Sequence, residues 1–520
     1  MAARLSEIPE ANVLLVEAGG DPPYESIIPG FYEAMQGTKY DWKFSTVNDS
    51  LSSQALQGGS QPIPSGKMLG GSGSLNTMVY ARGCPADYDE WADVLGEEWA
   101  WDNVLQYFKK TEHLTDERII NDPELRELHG HNGEMEVSGN NESIHSTDKL
   151  LEAFEELGVK IVKDMASAVG AGRLSHMIRD GRRDGTHIYL LNKASNRSNL
   201  FVFKNAMVSK IIIENNIARG VKVIANGIEK LYFAKKEVVI TAGTFNTAKL
   251  LLLSGIGPRD HLEALGVKVL ADLPVGDNLQ DHPKVFTYLA AENGTCFSSQ
   301  EALYWDTLKY LYNRRGHLSS TSDLGVYVSL NPNTINIPDF SIFPSCIPVN
   351  SDIYKQCADS GFKHYICDKL EAENKNKELL SFGIELLKPK SRGKVRLFSK
   401  DPGIDPLIYA GTFTDSRDLA GYPEIMKLVW SIAGTSYFSK KNAYVVDLNI
   451  PDCDGLLDAD LQKCLAMSMA TSSKHVVGTA AMGTVVDAKL RVIGVKKLRI
   501  ADASVMKDVI RGNTYAPVVM

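Results

Sequence analysis

The sequence predicts an α/β protein: a Rossmann-like dinucleotide-binding domain with an interleaved α+β domain built on an antiparallel sheet. Three observations predict it. Residues 13–16 form a continuous apolar run of strand length that stops at Glu17 and passes into Gly19-Gly20, the form of a parallel strand ending at a ligand. A second apolar run ends in ITAG at Gly243 and leads directly into a helical stretch, again at the carboxyl edge where α/β sheets bind ligands. Between 284 and 465, short strand-like runs alternate with amphipathic helices, which suits an antiparallel sheet backed by helices.

Taken in order, Met1 to Glu7 reads as the tail of a helix, broken by Pro9 and Asn12. The strand that follows is fit for the centre of a sheet, and Glu17 stands where a dinucleotide fold binds ribose hydroxyls. No G-x-G-x-x-G turn precedes it. The expectation is that the first strand, the glycine turn and the first helical turn are missing ahead of Met1, by truncation or by loss. Gly66, Gly70, Gly71 and Gly73, set among serines, let a backbone approach a ligand closely and offer amide N–H groups to an anion. Leu69, Leu75, Val79 and the amide of Asn76 suit a packed loop rather than a solvated spacer. A helix then begins with acidic Asp87, Asp89 and Glu90 in its first turns. Helical spacing continues (Val104, Tyr107, Phe108) up to a break at residues 130–133. His129 and His131 have no carboxylate or cysteine partner at a telling spacing, so no metal centre is expected.

From Leu200 the runs LFVFKNAMVSKIII, ARGVKVIA and EKLYFAKKEVVITAG predict a β-meander feeding a buried strand. Residues 244–254 predict a helix stopped by Gly255 and Gly257-Pro258. PVGDNLQDHP (274–283) is turn-rich and polar. Strands are expected at VYVSL, DFSIF, FGIELLKP and GKVRLF, a helix over 418–434, and a solvated helix over the charged run 368–378. The chain then returns to its first domain. HVVGTAAMG begins at His475, LRIADAS is an apolar strand that stops at Asp502, and RGNTYAP holds Asn513. This layout can place a proton acceptor, an acid and a hydrogen-bonding amide around a flat redox cofactor.

The 520 residues are 44% hydrophobic and 23% charged, ordinary for a globular chain and enough for two domains with a large core. The net charge of −8 gives no basic surface to attract a phosphate backbone, so nucleic acid is not an expected partner. No apolar run approaches roughly 18 residues, so no membrane span is expected, and Leu250–Leu253 reads as buried core. The seven cysteines include no CxxC pair, which argues against a zinc ribbon or dithiol redox motif. Their odd number leaves at least one free thiol, and Cys453 and Cys464 are close enough in sequence to bridge within a loop. N-x-S/T sequons start at Asn48, Asn141, Asn196 and Asn293, and no signal peptide opens the chain. The compartment is therefore open, with an extracellular location expected only if a signal peptide stands upstream.

Together these motifs resemble the glucose–methanol–choline (GMC) flavoprotein oxidoreductases, and within them the insect glucose-dehydrogenase-like group. GKMLGGSGSLNTMVYARGCPADYDEW resembles the family's first signature, and AGTFNTAKLLLLSGIGP the second, followed by PVGDNLQDH. HVVGTAAMG and VDAKLRVIGVKKLRIADASVM…GNTYAP resemble its C-terminal catalytic and FAD-binding segment. The resemblance implies an FAD-binding domain made of 1–140, 196–283 and 466–520, with its first βα turn missing. It implies a substrate domain made of 141–195 and 284–465. It implies FAD as cofactor, a small-molecule alcohol as substrate, and oxygen or a quinone as electron acceptor. His475 falls on the family's active-site histidine and Asn513 on its second active-site position. Glu17 falls on the ribose-binding acid, and Gly70, Gly71 and Asn76 on the loop beside the pyrophosphate and isoalloxazine. Val208 falls where backbone meets adenine, and Asp502 and Ala503 along the ribityl and pyrophosphate. The departures are the absent G-x-G-x-x-G turn, Val476 in place of a frequent proline, Lys507 in place of the proline of the family's pattern, and several family residues expected after Met520, so the resemblance implies a chain incomplete at both ends.

A neutral imidazole near pH 7 suits removal of a hydroxyl proton, and an amide can hold the same oxygen as negative charge develops. The expected function is therefore FAD-dependent oxidation of a CH–OH group in a sugar, alcohol or steroid alcohol. His475 is the base, and hydride passes to flavin N5. The rival readings are a flavin-free paralogue acting as a binding protein, which the missing glycine turn favours and the His475–Asn513 pair opposes, and a lyase on the same scaffold.

Overall fold

The computed structural model describes residues 1–140, 144–166, 168–296 and 300–520. The Asn141 sequon and the domain boundary expected beside it lie outside them. A seven-stranded antiparallel sheet dominates one half of the molecule. Its strands run in the order Tyr444–Val445, Pro283–Ala291, Glu378–Leu386, Phe340–Ile347, Leu324–Val328 and Gly170–Arg173, with Thr471–Ser472 paired beside Pro283. Segments from three distant parts of the chain therefore meet in one sheet.

Register gives the sheet two distinct faces, because side chains alternate with period two. Lys284 pairs with Glu385, Phe286 with Gly383 and Tyr288 with Ser381, and across the next ladder Phe343 pairs with Gly383 and Ser345 with Ser381. This face looks into a cavity. The other face carries Val285, Leu289, Ile342, Leu380, Phe382 and Ile384, buried in a core shared with the Tyr422–Ser431 helix (Tyr422, Ile425, Met426, Val429). Trp430 Nε1 donates to Thr287 Oγ1 at 2.9 Å across that contact.

The second half is an α/β assembly around a separate core that includes Phe245, Leu250–Leu253, Ile240, Leu498 and Ile500. Val13–Val16 pairs in parallel with Leu200–Phe203, and Val238–Ile240 in parallel with Leu498–Ile500. The Gly243–Leu253 helix follows directly, with Leu251 and Leu252 wholly buried. Among the described residues, no helix is long and apolar enough to cross a membrane.

Several expectations need correction. Residues 13–16 are not a central buried strand. Among the described residues they pair only with Leu200–Phe203, and Leu14 and Phe201 are 43% and 55% exposed on the wall of the cavity. The run from Leu200 is not one strand of a meander. It breaks at Asn205, whose φ is +52°, and whose N–H reaches the carbonyl of Gly19 while that of Ala206 reaches Glu17. The meander proper is Met207–Glu214, Ile217–Ala225 and Ile228–Phe233, and Val238–Ile240 leaves it for the Leu498–Ile500 pair. The 368–378 run is not simply solvated. The His364–Asn374 helix buries Ile366, Cys367 and Leu370, and Glu378 is buried, accepting N–H bonds from Gly294, Thr295 and Cys296. Cys453 bridges Cys464, two further disulfides join Cys296 to Cys346 and Cys357 to Cys367, and Cys84 is the free thiol, buried.

Candidate active site

Between the two halves lies a cavity of about 2660 Å³, well above the roughly 300–1,000 Å³ of an ordinary ligand pocket. All nine residues singled out from the sequence line it: Glu17, Gly70, Gly71, Asn76, Val208, His475, Asp502, Ala503 and Asn513.

One wall is largely backbone. Glu17, at the end of its strand, accepts the Gly19 N–H at 2.8 Å, and burial raises its pKa against the pull of neighbouring amides and Lys67. Gly70 sits at φ +88° so tightly that a Cβ would stand 2.3 Å from Ser74 Oγ and 2.9 Å from His187 Nδ1, so only glycine fits. Gly243, at φ +79°, opens the Gly243–Leu253 helix with free space where a Cβ would stand. Its N–H donates to Asp502 Oδ2 at 3.0 Å, as does Thr247 Oγ1 at 2.6 Å, while Asp502 Oδ1 accepts from Ser504 N and Oγ. The Asp502 carboxylate is thus spent on tying two helical turns together, and its neighbour Ala503 is held at the cavity surface. Asn76 Oδ1 accepts from buried Arg183 Nη1 at 2.6 Å, and Arg183 Nη2 has no partner.

The opposite pole is built of side chains. Asp281 Oδ1 accepts the backbone N–H of His282 at 2.8 Å and of His475 at 2.9 Å, so one carboxylate anchors both histidines. Their rings cross at 76° with Nδ1 to Nδ1 at 3.0 Å. His282 Nε2 meets the carbonyl of Ile510 at 3.0 Å, and Asn513 Nδ2 meets His475 Nε2 at 3.0 Å. Asn513 Oδ1 is buried without a partner. Burial lowers the His475 pKa to about 3, with His282, Lys284 and Lys474 reinforcing and Glu385 opposing the shift. Burial lowers His282 as well. Burial works to raise Glu385, but Lys284, bonded at 2.8 Å, and the two histidines hold it at about 2. Burial raises Asp281 to about 6. Both imidazoles are therefore neutral near pH 7.

Sequence reasoning missed His282, Lys284, Glu385 and Arg183. His282 lies at the end of PVGDNLQDH and is the one of these four that a motif signals. Lys284 and Glu385 are cross-strand neighbours a hundred residues apart in sequence, and only register joins them.

A nucleotide-sized cavity with a glycine-lined wall at one side and a neutral histidine–amide pair at the other defines a flavin-dependent alcohol oxidoreductase. The sequence patterns of GMC oxidoreductases match residues 45–284 and 389–520, and the chain belongs to that family. It is 50% identical to ecdysone oxidase of Bombyx mori over 522 residues, covering all of this chain and 78% of that one. It is 31% identical to glucose dehydrogenase [FAD, quinone] of Drosophila melanogaster, covering all of this chain and 83% of the relative. Formate oxidase superposes with a TM-score of 0.85 at 25% identity, over all of this chain and 93% of that structure. The protein is thus an FAD-dependent oxidoreductase acting on alcohols. The residues present fit FAD. Gly243 leaves open space at a helix N-terminus, the cavity has room for a dinucleotide beside a substrate, and Asn513, on its lining, has an unpartnered Oδ1.

Proposed function

We propose that this protein oxidises a hydroxyl of an ecdysone-type steroid alcohol to the carbonyl. The observation that carries the chemistry is the pairing of an unprotonated His475 Nε2 with the Asn513 Nδ2–H at the edge of a wide chamber. The substrate class rests on the 50% identity to ecdysone oxidase and on the walls of that chamber. Phe286, Tyr288, Phe343 and Ile347 offer flat apolar surface to a rigid hydrocarbon body, and Ser345 and Ser381 interrupt it with hydroxyls suited to a polyhydroxylated one.

The substrate hydroxyl inserts between His475 and Asn513. Its proton goes to His475 Nε2, while Asn513 Nδ2–H holds the oxygen as alkoxide character grows. FAD, when bound, takes up the hydride released from the carbinol carbon. Chamber and backbone wall hold the two reactants in register and keep water out, which is the protein's own share of the rate. The three disulfides suit maturation in an oxidising compartment.

The test is anaerobic mixing. The FAD-loaded protein should bleach with ecdysone and regain its colour when oxygen or a quinone is admitted, which also identifies the acceptor. Bleaching by a sugar or simple alcohol but not by ecdysone overturns the substrate class. No bleaching by any alcohol overturns the chemistry.

A further inference from the structure

We propose that His282 is the positioning residue of His475, holding it in the one tautomer that presents a bare Nε2 to the substrate. The proposal rests on the reading of His475 as the base. It is carried by a chain of three hydrogen bonds whose direction is set at one end. The Ile510 carbonyl can only accept, so His282 Nε2 carries the hydrogen of their 3.0 Å bond. A neutral His282 then has a lone pair on Nδ1, so the 3.0 Å contact between the two Nδ1 atoms has His475 Nδ1–H as its donor. A neutral His475 protonated at Nδ1 is bare at Nε2, which accepts the Asn513 Nδ2–H at 3.0 Å. A single backbone carbonyl thus dictates, through two rings, which nitrogen faces the reacting hydroxyl.

His282 does this without touching substrate. It is wholly buried and does not line the cavity. Its backbone N–H shares Asp281 Oδ1 with that of His475, so the two rings are fixed relative to each other at both ends. When Nε2 takes the alcohol proton, His475 becomes an imidazolium. Its Nδ1–H remains bonded to His282 Nδ1, and Glu385, with a carboxylate oxygen within 4.8 Å of both rings, faces the new positive charge. The proton leaves again from Nε2 after the product departs. Ser341 and Lys284 hold Glu385 in place. Without His282, His475 Nδ1–H has no acceptor, and the opposite tautomer, which offers a hydrogen rather than a lone pair to the substrate, becomes accessible.

The experiment compares FAD-loaded wild type with His282→Ala, His282→Asn and His475→Ala. His282→Ala should lower kcat roughly 10- to 100-fold, the scale for groups that orient a working imidazole, while KM moves less than about threefold and bound FAD stays stoichiometric. His282→Asn keeps a carbonyl acceptor near the Nδ1 position and should recover kcat to within about fivefold of wild type. The acid limb of kcat/KM should shift in His282→Ala and return in His282→Asn. Asp281, Lys284, Glu385, Lys388, Lys474 and Asp87 also bear on the pair, and they are common to all the proteins compared. Unchanged kcat and pH profile in His282→Ala, with His475→Ala inactive, overturns the positioning role alone. Full turnover in His475→Ala overturns the base assignment beneath it. If His282→Ala does not fold, ¹⁵N-histidine spectra of the wild-type holoenzyme decide. A protonated Nδ1 and bare Nε2 on His475 support the proposal, and the reverse tautomer overturns it.

Discussion

Two buried clusters in this protein are built around histidine, and they hold it in opposite states. In the first, His129 Nδ1 meets Glu112 at 2.6 Å and its Nε2 meets Asp164 at 3.0 Å, while Arg82 bonds Glu112 at 2.9 Å. Burial opposes charge on His129, but the two carboxylates overcome it and raise its pKa. Burial likewise opposes charge on Glu112 and Asp164, but Arg82 and His129 hold them low. No buried side-chain nitrogen or oxygen of these four residues lacks a partner. In the second, His475 meets only another histidine and an amide, its pKa falls to about 3, and Asn513 Oδ1 is left over. The first cluster is closed and can only stabilise the fold. The second borders the cavity, bonds no carboxylate to the His475 ring, and leaves Asn513 Oδ1 without a partner. What separates the two histidines is the number of carboxylates bonded to the ring.

The contrast can be broken in four ways. The largest effect is expected from His475→Ala, which should cut turnover roughly 10²–10⁴-fold while FAD stays bound and the melting temperature hardly moves. A large loss of stability instead would place this histidine with the structural one. Next, Glu112→Ala strands Arg82 and His129 and should cost about 3–5 kcal/mol of stability in thermal or denaturant unfolding, with turnover per bound flavin unchanged in the folded fraction. Unaltered melting would show that the closed cluster carries no load. Asn513→Ala should lower kcat about 10²–10³-fold, the cost of removing one donor to a developing oxyanion. A rise in KM with kcat retained would reduce it to a binding group.

The fourth test is in pH. His176 and His187, held at about 4, and His475, at about 3, stay neutral in the fold, so below pH 6.5 the unfolded chain takes up protons first and stability falls as pH drops. Each of these buried rings accounts for about 2 kcal/mol by pH 5. Asp281, raised to about 6, works the other way between pH 6 and its ordinary 3.8, and the raised carboxyls of Glu17, Glu136 and Asp323 act in the same sense as Asp281, while lowered His282 adds to the histidines. His129, raised, contributes stability that is lost only as pH climbs through its folded pKa. A melting temperature that is flat from pH 7 to 5 would contradict the assignment of neutral histidines.

Much of the backbone wall of the cavity was legible in the chain because its cues are local. A strand ending at Glu17, glycines dense enough to fold back on themselves at 70–73, and an apolar run stopping at Asp502 are each complete within a few residues. The sheet wall of the cavity was not legible. Phe286 and Phe343 look like any core aromatics, and whether they face the cavity or the helix behind depends on strand register, where a one-residue slip exchanges the faces. The first strand was misjudged for a related reason. Four apolar residues read as central, but centrality depends on neighbours that local pattern does not name.

By itself, then, the amino-acid order settled the backbone: where strands stop, where glycine is obligatory, and which histidine and asparagine belong to one short stretch at the end of the chain. Tertiary structure alone brought His282 against His475 across 193 positions and set Lys284 opposite Glu385. The reason is physical. Backbone preference is decided within a few bonds, whereas protonation and orientation of a buried side chain are decided by whatever distant groups packing brings within hydrogen-bonding reach.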